Sequence, residues 1–309
     1  MKDTSPIEQI VEEIGSTFTQ LSDEIWDAPE LRWIEHESVE KQIAVAEQFG
    51  FRVERSLTGI PTAFSAEKGE GGPIIAVLGE FDALAGMSQA DGVAEVQPNP
   101  ETSNTSGHAC GHNLFGAGSL LAAVAAARHL EEQGLPGRVR YYGCPAEEAA
   151  AGKSFLVQRG AFEDVDAAVS WHPGSAMRTS QGLSLAYTQV YFRYRGIASH
   201  AGAAPHLGRS ALDAVELLNV GVNFLREHMP DNARVHYAIT DAGGVSPNVV
   251  QAYAEVYYIV RAVNVAQMRE LYDRVVKIAE GAALMTETTL EIEFDGASSE
   301  LLPNATLEA

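Results

Sequence analysis

Residues 107–113 read Gly-His-Ala-Cys-Gly-His-Asn, which sets Cys110 and His112 two apart with a glycine between them. A thiolate and an imidazole at that spacing can face one borderline cation such as zinc, because Gly111 lets the backbone turn tightly. A chain that uses both must bring its remaining ligands from elsewhere, and that demand constrains the fold. Two later stretches meet it. Gly143-Cys144-Pro145-Ala146-Glu147-Glu148 follows a strand-like run at 138–142, and Trp171-His172-Pro173-Gly174 follows another at 166–170. In open α/β sheets ligands collect beyond the carboxyl ends of the strands, so cysteine, histidines and glutamates arriving there point to one site.

Metal-assisted hydrolysis needs ligands and also a base that is not a ligand, since the activated water must lose a proton. Two adjacent glutamates can divide that labour, one carboxylate binding the cation and the other taking the proton. The competing reading makes Cys110 a nucleophile with His112 or His172 as its base. Metal ligation explains more residues, because a thiol hydrolase has no use for the glutamate pair.

Composition removes other classes. Lys plus Arg number 21 against 42 Asp plus Glu, a formal charge of -21, so the global field repels polyanions and nucleic acid is not an expected partner. The N-terminal residues are polar and acidic, and no apolar run has the length to cross a bilayer. The expected location is the cytoplasm. Both cysteines, Cys110 and Cys144, fall inside the candidate site rather than in a disulfide framework, which fits a reducing compartment.

Along the chain, helices are expected over 6–26 and 38–49, strands over 51–56 and 62–66, and a buried strand over 73–78 that ends at Gly79-Glu80-Phe81-Asp82. Residues 83–106 lack regular pattern and read as a long loop draped toward the site. An alanine-rich helix over 114–130 follows the motif, and Gly116 and Gly118 read as packing glycines within it. Strand and helix alternating up to residue 172 imply an α/β fold with a doubly wound, largely parallel sheet. Near residue 183 the pattern changes to strand, helix, strand, strand, helix, strand, the order of a ferredoxin-like α+β unit inserted as a separate domain. Its first strand, 185–195, alternates as an exposed strand with Val190, Phe192 and Tyr194 on one face. Its second helix carries a stripe from Met268 to Met285. Gly152-Lys153-Ser154 resembles the end of a phosphate-binding loop, but Glu147 stands where that loop needs glycine.

With HACGHN, CPAEE and WHP in place, the segments from Gly196 to His228 and from Gly243 to Ala262 complete a resemblance that covers essentially the whole chain. The sequence resembles the two-metal amidohydrolases related to carboxypeptidase G and the aminoacylases, nearest to the branch acting on aminobenzoyl-glutamate, with dipeptidase-like amidohydrolases as near relatives. The resemblance implies that two divalent ions, manganese or zinc, are held by Cys110, His112, Glu148 and His172, with Glu147 as general base and Asp82 behind the ligands. It also implies that the inserted domain is a dimerisation lid: His200 reaches the partner's site to stabilise the oxyanion, while Asn248 and Arg261 hold the substrate carboxylate. The expected organisation is a catalytic domain at 1–183, a lid at 184–298, and a return toward the catalytic domain at 299–309. The expected partners are an N-acyl amino acid substrate and a second copy of the chain, or a related second subunit. In that family the chain returns from the lid to supply a final histidine ligand. Here it stops at Ala309, so a truncated catalytic domain, one ligand short, is expected, and a catalytically incomplete binding subunit is the rival function.

Overall fold

The computed structural model describes residues 4–100, 105–148, 150–176 and 184–308. It divides the chain into two compact units, 1–177 and 178–309. The first unit runs α1 (Ser5–Trp26), α2 (His36–Gln48), β1 (Arg52–Arg55), β2 (Phe64–Glu70), β3 (Ile74–Glu80), α3 (His112–Glu132), β4 (Gly137–Cys144), α4 (Gly152–Gln158) and β5 (Ala167–Val169). Its strands lie in the order β1-β2-β4-β3-β5. β4, β3 and β5 are parallel, and β2 pairs antiparallel with both β1 and β4, so β2 alone runs against the other four. The expected largely parallel sheet is therefore present, with the reversed strand near one edge.

Side-chain alternation along the strands divides the core into two layers. β4 sends Val139 and Tyr141 to one face, against Phe18, Leu21, Ile43, Leu120 and Val124 of the first three helices. Its intervening Tyr142 and Cys144 pack on the other face with Leu57, Leu156 and Ala161. Both tyrosines are fully buried and satisfied: the Tyr141 hydroxyl donates to Gln42 Oε1 at 2.5 Å and the Tyr142 hydroxyl to the Ala161 carbonyl at 2.6 Å. Register places Glu80 beside Cys144 and Val77 beside Val169, so the carboxyl ends of all three parallel strands open on one side. Residues 145–148 and 171–172 leave from two of those ends, and Glu80 and Asp82 stand at the third.

The described part of 83–106 holds no helix or strand, as expected, and is pinned by isolated bridges at Ala83 and Leu84. α3 starts at His112, two residues earlier than the alanine-rich pattern indicates. The reason is Gly111, which occupies its N-cap at φ 70° and turns the chain directly into the helix.

The second unit runs β6 (Ala186–Arg195), α5 (Ala211–Leu225), β7 (Arg234–Asp241), β8 (Tyr253–Ala262), α6 (Val265–Thr286) and β9 (Thr289–Ser298). Its four strands are all antiparallel in the order β7-β8-β6-β9, which is the split βαβ arrangement. α5 is capped by Ser210, whose side chain accepts from the Asp213 amide, and α6 by Asn264, which accepts from Gln267. One core unites Val190, Phe192 and Tyr194 with Val215, Leu218 and Val222 of α5 and Leu271 and Val275 of α6.

Two expectations are corrected here. β6 is an interior strand between β8 and β9, and Val190 is buried, so it is not the exposed strand its alternation indicates. The stripe of α6 turns inward at Ala279, Ala282 and Ala283, leaving Met285 65% exposed. β8 begins at Tyr253, and before it Asn248 and Val250 bond to Ala201 and Ser199.

Candidate metal centre

Glu80 and Asp82 leave the end of β3 two residues apart and both reach His112, as alternate residues of an extended chain can. His112 Nε2 lies 2.9 Å from Glu80 Oε2, and Nδ1 lies 3.0 Å from Asp82 Oδ1 and 3.0 Å from the Asp82 carbonyl. The Nε2 contact lacks hydrogen-bond alignment, so Nε2, Glu80 Oε2 and the nearby Glu148 Oε1 are buried polar atoms with no hydrogen-bond partner. The other Asp82 oxygen accepts from the Glu148 amide at 2.7 Å. Asp82 thus grips the histidine and the glutamate at once, holding each ring and backbone in one orientation, which is what a carboxylate behind a ligand does.

The first turns of α3 bring His172 in. Phe115 stands edge-on to both Trp171 and His172, at 5.6 and 5.8 Å, and the Trp171 indole donates to Ser119 Oγ at 3.0 Å. Gly118 leaves room for that indole, since a Cβ there would sit 2.9 Å from Trp171. The His112 and His172 rings then meet edge to face at 5.7 Å. Ligand atoms of Glu80, His112 and His172 lie within 4.8 Å of one another, as do those of Cys110, His112 and Glu148. Glu147 Oε2 stands 3.9 Å from His112 Nε2. A cavity of about 1330 Å³ opens beside these groups, lined by Trp26, Gln89, Asn99, Cys110, Leu114 and His172 among others, so the long loop does reach the site.

The electrostatics suit a cation. Burial alone would depress the His112 imidazole, but Asp82 and Glu80 outweigh it and push it up to about 10. A bond to Glu148, with burial and the charges of Glu147 and Asp82, pushes the Cys110 thiol up to about 12. Such acidic surroundings disfavour the thiolate a nucleophile needs and are what a divalent cation reverses. Burial raises the Glu147 carboxyl too, aided by Glu80. Burial works to raise Glu80 as well, yet His112 and Lys153 hold it below its usual range. The orphaned Nε2, Oε2 and Oε1 atoms and the mixed sulfur, nitrogen and carboxylate donors fit a borderline divalent ion.

The structure places Cys110 and Glu148 in one donor group and His172 in another, both sharing His112, with Glu147 and Asp82 beside them. Two participants have no role assigned by the sequence reading. Glu80 was visible only as a strand-end carboxylate, and its two-residue spacing from Asp82 was the usable signal. Lys153, part of the rejected phosphate-loop likeness, forms an ion pair with Glu80.

In the second unit, His200 and Asn248 are neighbours: the Ala201 amide donates to the Asn248 carbonyl at 2.9 Å, and His200 bridges to Val249. His200 Nδ1 accepts from the Gly202 and Ala203 amides at 3.1 and 3.0 Å, which leaves the ring proton on Nε2. Arg261 is not brought to them. It sits near the far end of β8, stacked on the Tyr187 ring at 4.8 Å, some eight residues past Tyr253 and so roughly 26 Å along the strand.

A largely parallel sheet whose strand ends gather thiol, imidazole and carboxylate groups offers a candidate metal site with donors of the kind metal-dependent hydrolases use. Residues 76–300 match the model of peptidase family M20/M25/M40, and the chain belongs to that family. It is 52% identical to one of the p-aminobenzoyl-glutamate hydrolase subunits of Escherichia coli over 98% of this chain and 62% of that protein. It thus spans less than two thirds of that relative's length. It is 33% identical to the Xaa-Arg dipeptidase of Mus musculus over 97% of this chain and 67% of that one. Among solved structures, an aminobenzoyl-glutamate utilization protein from Klebsiella pneumoniae shares the fold with a TM-score of 0.73 at 19% identity, covering 97% of this chain and 80% of that one. A dinuclear metal-binding M20 peptidase from Bacillus subtilis does so with a TM-score of 0.59 at 21% identity, covering 95% and 78%. No helix among the described residues is long and apolar enough to cross a membrane.

Proposed function

We propose that the protein is a metal-dependent amidohydrolase that cleaves the amide bond between an acyl or aromatic acyl group and an amino acid, with p-aminobenzoyl-glutamate the leading substrate. The observation that carries this reading is the divergence of two adjacent glutamates. Glu148 turns an unpartnered oxygen into the Cys110 and His112 cluster, while Glu147 stays partly exposed beside it. Cys110, His112, Glu148 and His172 would hold two divalent ions, manganese or zinc, with Glu80 as a further donor. Bound there, the ions would supply Lewis acidity that acidifies a water and draws charge from the scissile carbonyl.

The protein's own groups do the rest. Glu147 takes the proton from the attacking water and passes it to the leaving amine nitrogen, a task its raised affinity for protons suits. Asp82 keeps His112 and Glu148 in register during that exchange. His200, with its proton on Nε2, donates to the oxyanion, and Asn248 and Arg261 hold the substrate carboxylate. No small substrate spans the roughly 26 Å along β8 that separates Arg261 from the strand's beginning. Within this reading His200 and Asn248 therefore come from one copy of the chain and Arg261 from another, and the second unit is a dimerising lid in a cytoplasmic homodimer or in a pair with a related subunit.

The test is release of p-aminobenzoate from p-aminobenzoyl-glutamate after loading with manganese or zinc, repeated with a chelator. Chelator-sensitive release is expected. A protein that binds the ions and the substrate without releasing p-aminobenzoate would be a binding subunit instead.

A further inference from the structure

We propose that Glu35 is a positioning residue for hydrolysis: its buried carboxylate holds the Ala146 amide, and so fixes the turn on which Glu147 and Glu148 part company. The inference rests on the reading of Glu147 as base and Glu148 as ligand.

Glu35 is completely buried, yet among the described residues no cation lies within ion-pair distance of it. Its Oε1 accepts from the Ala146 amide at 2.8 Å across 111 positions of sequence, and its Oε2 has no partner. A buried acid is costly to ionise: burial, with the charge of Asp82 adding to it, pushes this carboxyl up to about 7 against the opposing pull of its own amide, Thr62 and the Ala146 amide. Local structure does not account for it. Glu35 stands at the N-cap position of α2 but makes no side-chain cap bond. That work is done by Glu30, whose carboxylate accepts from the Glu37 and Ser38 amides at 3.0 and 2.8 Å.

What Glu35 does hold is strained. Ala146 sits at φ 54°, the left-handed region that an alanine disfavours and that persists only where surroundings impose it. The turn is closed by the Gly152 amide donating to the Ala146 carbonyl at 2.9 Å. Two carboxylates then bracket Glu147, Glu35 on the amide before it and Asp82 on the amide after it. Without the first bracket the Ala146 amide is buried and unsatisfied, and rotation toward an ordinary φ swings Glu147 away from its 3.9 Å station at His112. Small displacements of a catalytic base cost rate far more than they cost binding.

The experiment compares Glu35→Ala, Glu35→Asp and Glu35→Gln by hydrogen–deuterium exchange across residues 144–152, by metal content, and by kcat and KM on p-aminobenzoyl-glutamate. In Glu35→Ala, exchange in this segment rises about 10-fold or more, kcat falls about 10- to 100-fold, and KM and metal content stay within about twofold. Glu35→Gln keeps an acceptor oxygen and restores both protection and kcat to within about threefold. If Glu35→Ala does not fold, Glu35→Asp, with the oxygen withdrawn by one methylene, is expected to show the same losses. A folded Ala or Asp variant with unchanged exchange overturns the proposal, and so does one that loses kcat only in proportion to metal. Because exchange is read without turnover, a protein inactive on this substrate but showing the exchange pattern overturns the substrate reading and leaves the clamp standing.

Discussion

At the scale of single residues, neighbours in sequence do different work because the backbone between them is fixed. Glu147→Ala removes a carboxylate that the reading places outside the ligand set, so turnover should fall about 10²- to 10⁴-fold with metal stoichiometry unchanged. Loss of metal alongside activity would move Glu147 among the ligands. Proton linkage gives a second check. The folded-state pKa of Glu35 is about 7, above its ordinary 4.5, so its contribution to stability is present below 4.5 and is lost as pH rises toward 7. Burial pushes His108 down to about 4 from 6.5, so its contribution is present above 6.5 and is lost as pH falls toward 4. Between 4.5 and 6.5 the two slopes oppose each other. Glu35→Gln deletes the first and keeps the second. Taken from about pH 6.5 to about pH 5, it should lose about 2 kcal/mol more stability than the unaltered protein in urea titrations. Parallel pH dependence in the two proteins would mean that Glu35 is not held protonated by the fold.

At the scale of elements, β6 shows what a pattern can and cannot say. Phe192 is fully buried between two paired strands and beneath α5 and α6, so Phe192→Ala should cost about 3–5 kcal/mol in the second unit's denaturant unfolding. An exposed strand would lose no more than about 0.5 kcal/mol. Alternation in 185–195 reveals which residues share a face, but an interior strand differs from an edge strand only through partners, and here those are β8 and β9, dozens of residues later. The same limit governs the site. Cys110, His112, Glu148 and His172 were legible because each lies within a few residues of a recognisable strand or helix end. The Glu80 and Lys153 pair, 73 positions apart, and the Glu35 bond to Ala146, 111 apart, are products of the sheet order. No local pattern in the sequence encodes either. The separation of Asn248 from Arg261 was hidden for a related reason: Asn248 precedes β8 and Arg261 lies near its far end, and only the strand's length sets them apart.

At the scale of the whole molecule, charge and cores divide the labour between the two units. Among the described residues, every grouped metal-donor candidate lies between Glu80 and His172 in the first unit, whereas the second carries its own core built from β6, α5, β8 and α6. A ligand that binds the folded but not the unfolded form stabilises only the cooperative unit that contains its site. With free metal about 100-fold above its dissociation constant, that gain is about 2.7 kcal/mol per ion. Scanning calorimetry with metal and then with a chelator should therefore move the transition belonging to the first unit and leave that of the second within about a degree. The assignment is checked by a fragment spanning 184–300, whose sheet and two helices complete a core without the first unit. If both transitions shift together, the two units unfold as one and the independence of their cores is wrong. If neither shifts, the cluster of thiol, imidazole and carboxylate groups holds no metal, and the acidity around Cys110 and His112 must be balanced by protons alone.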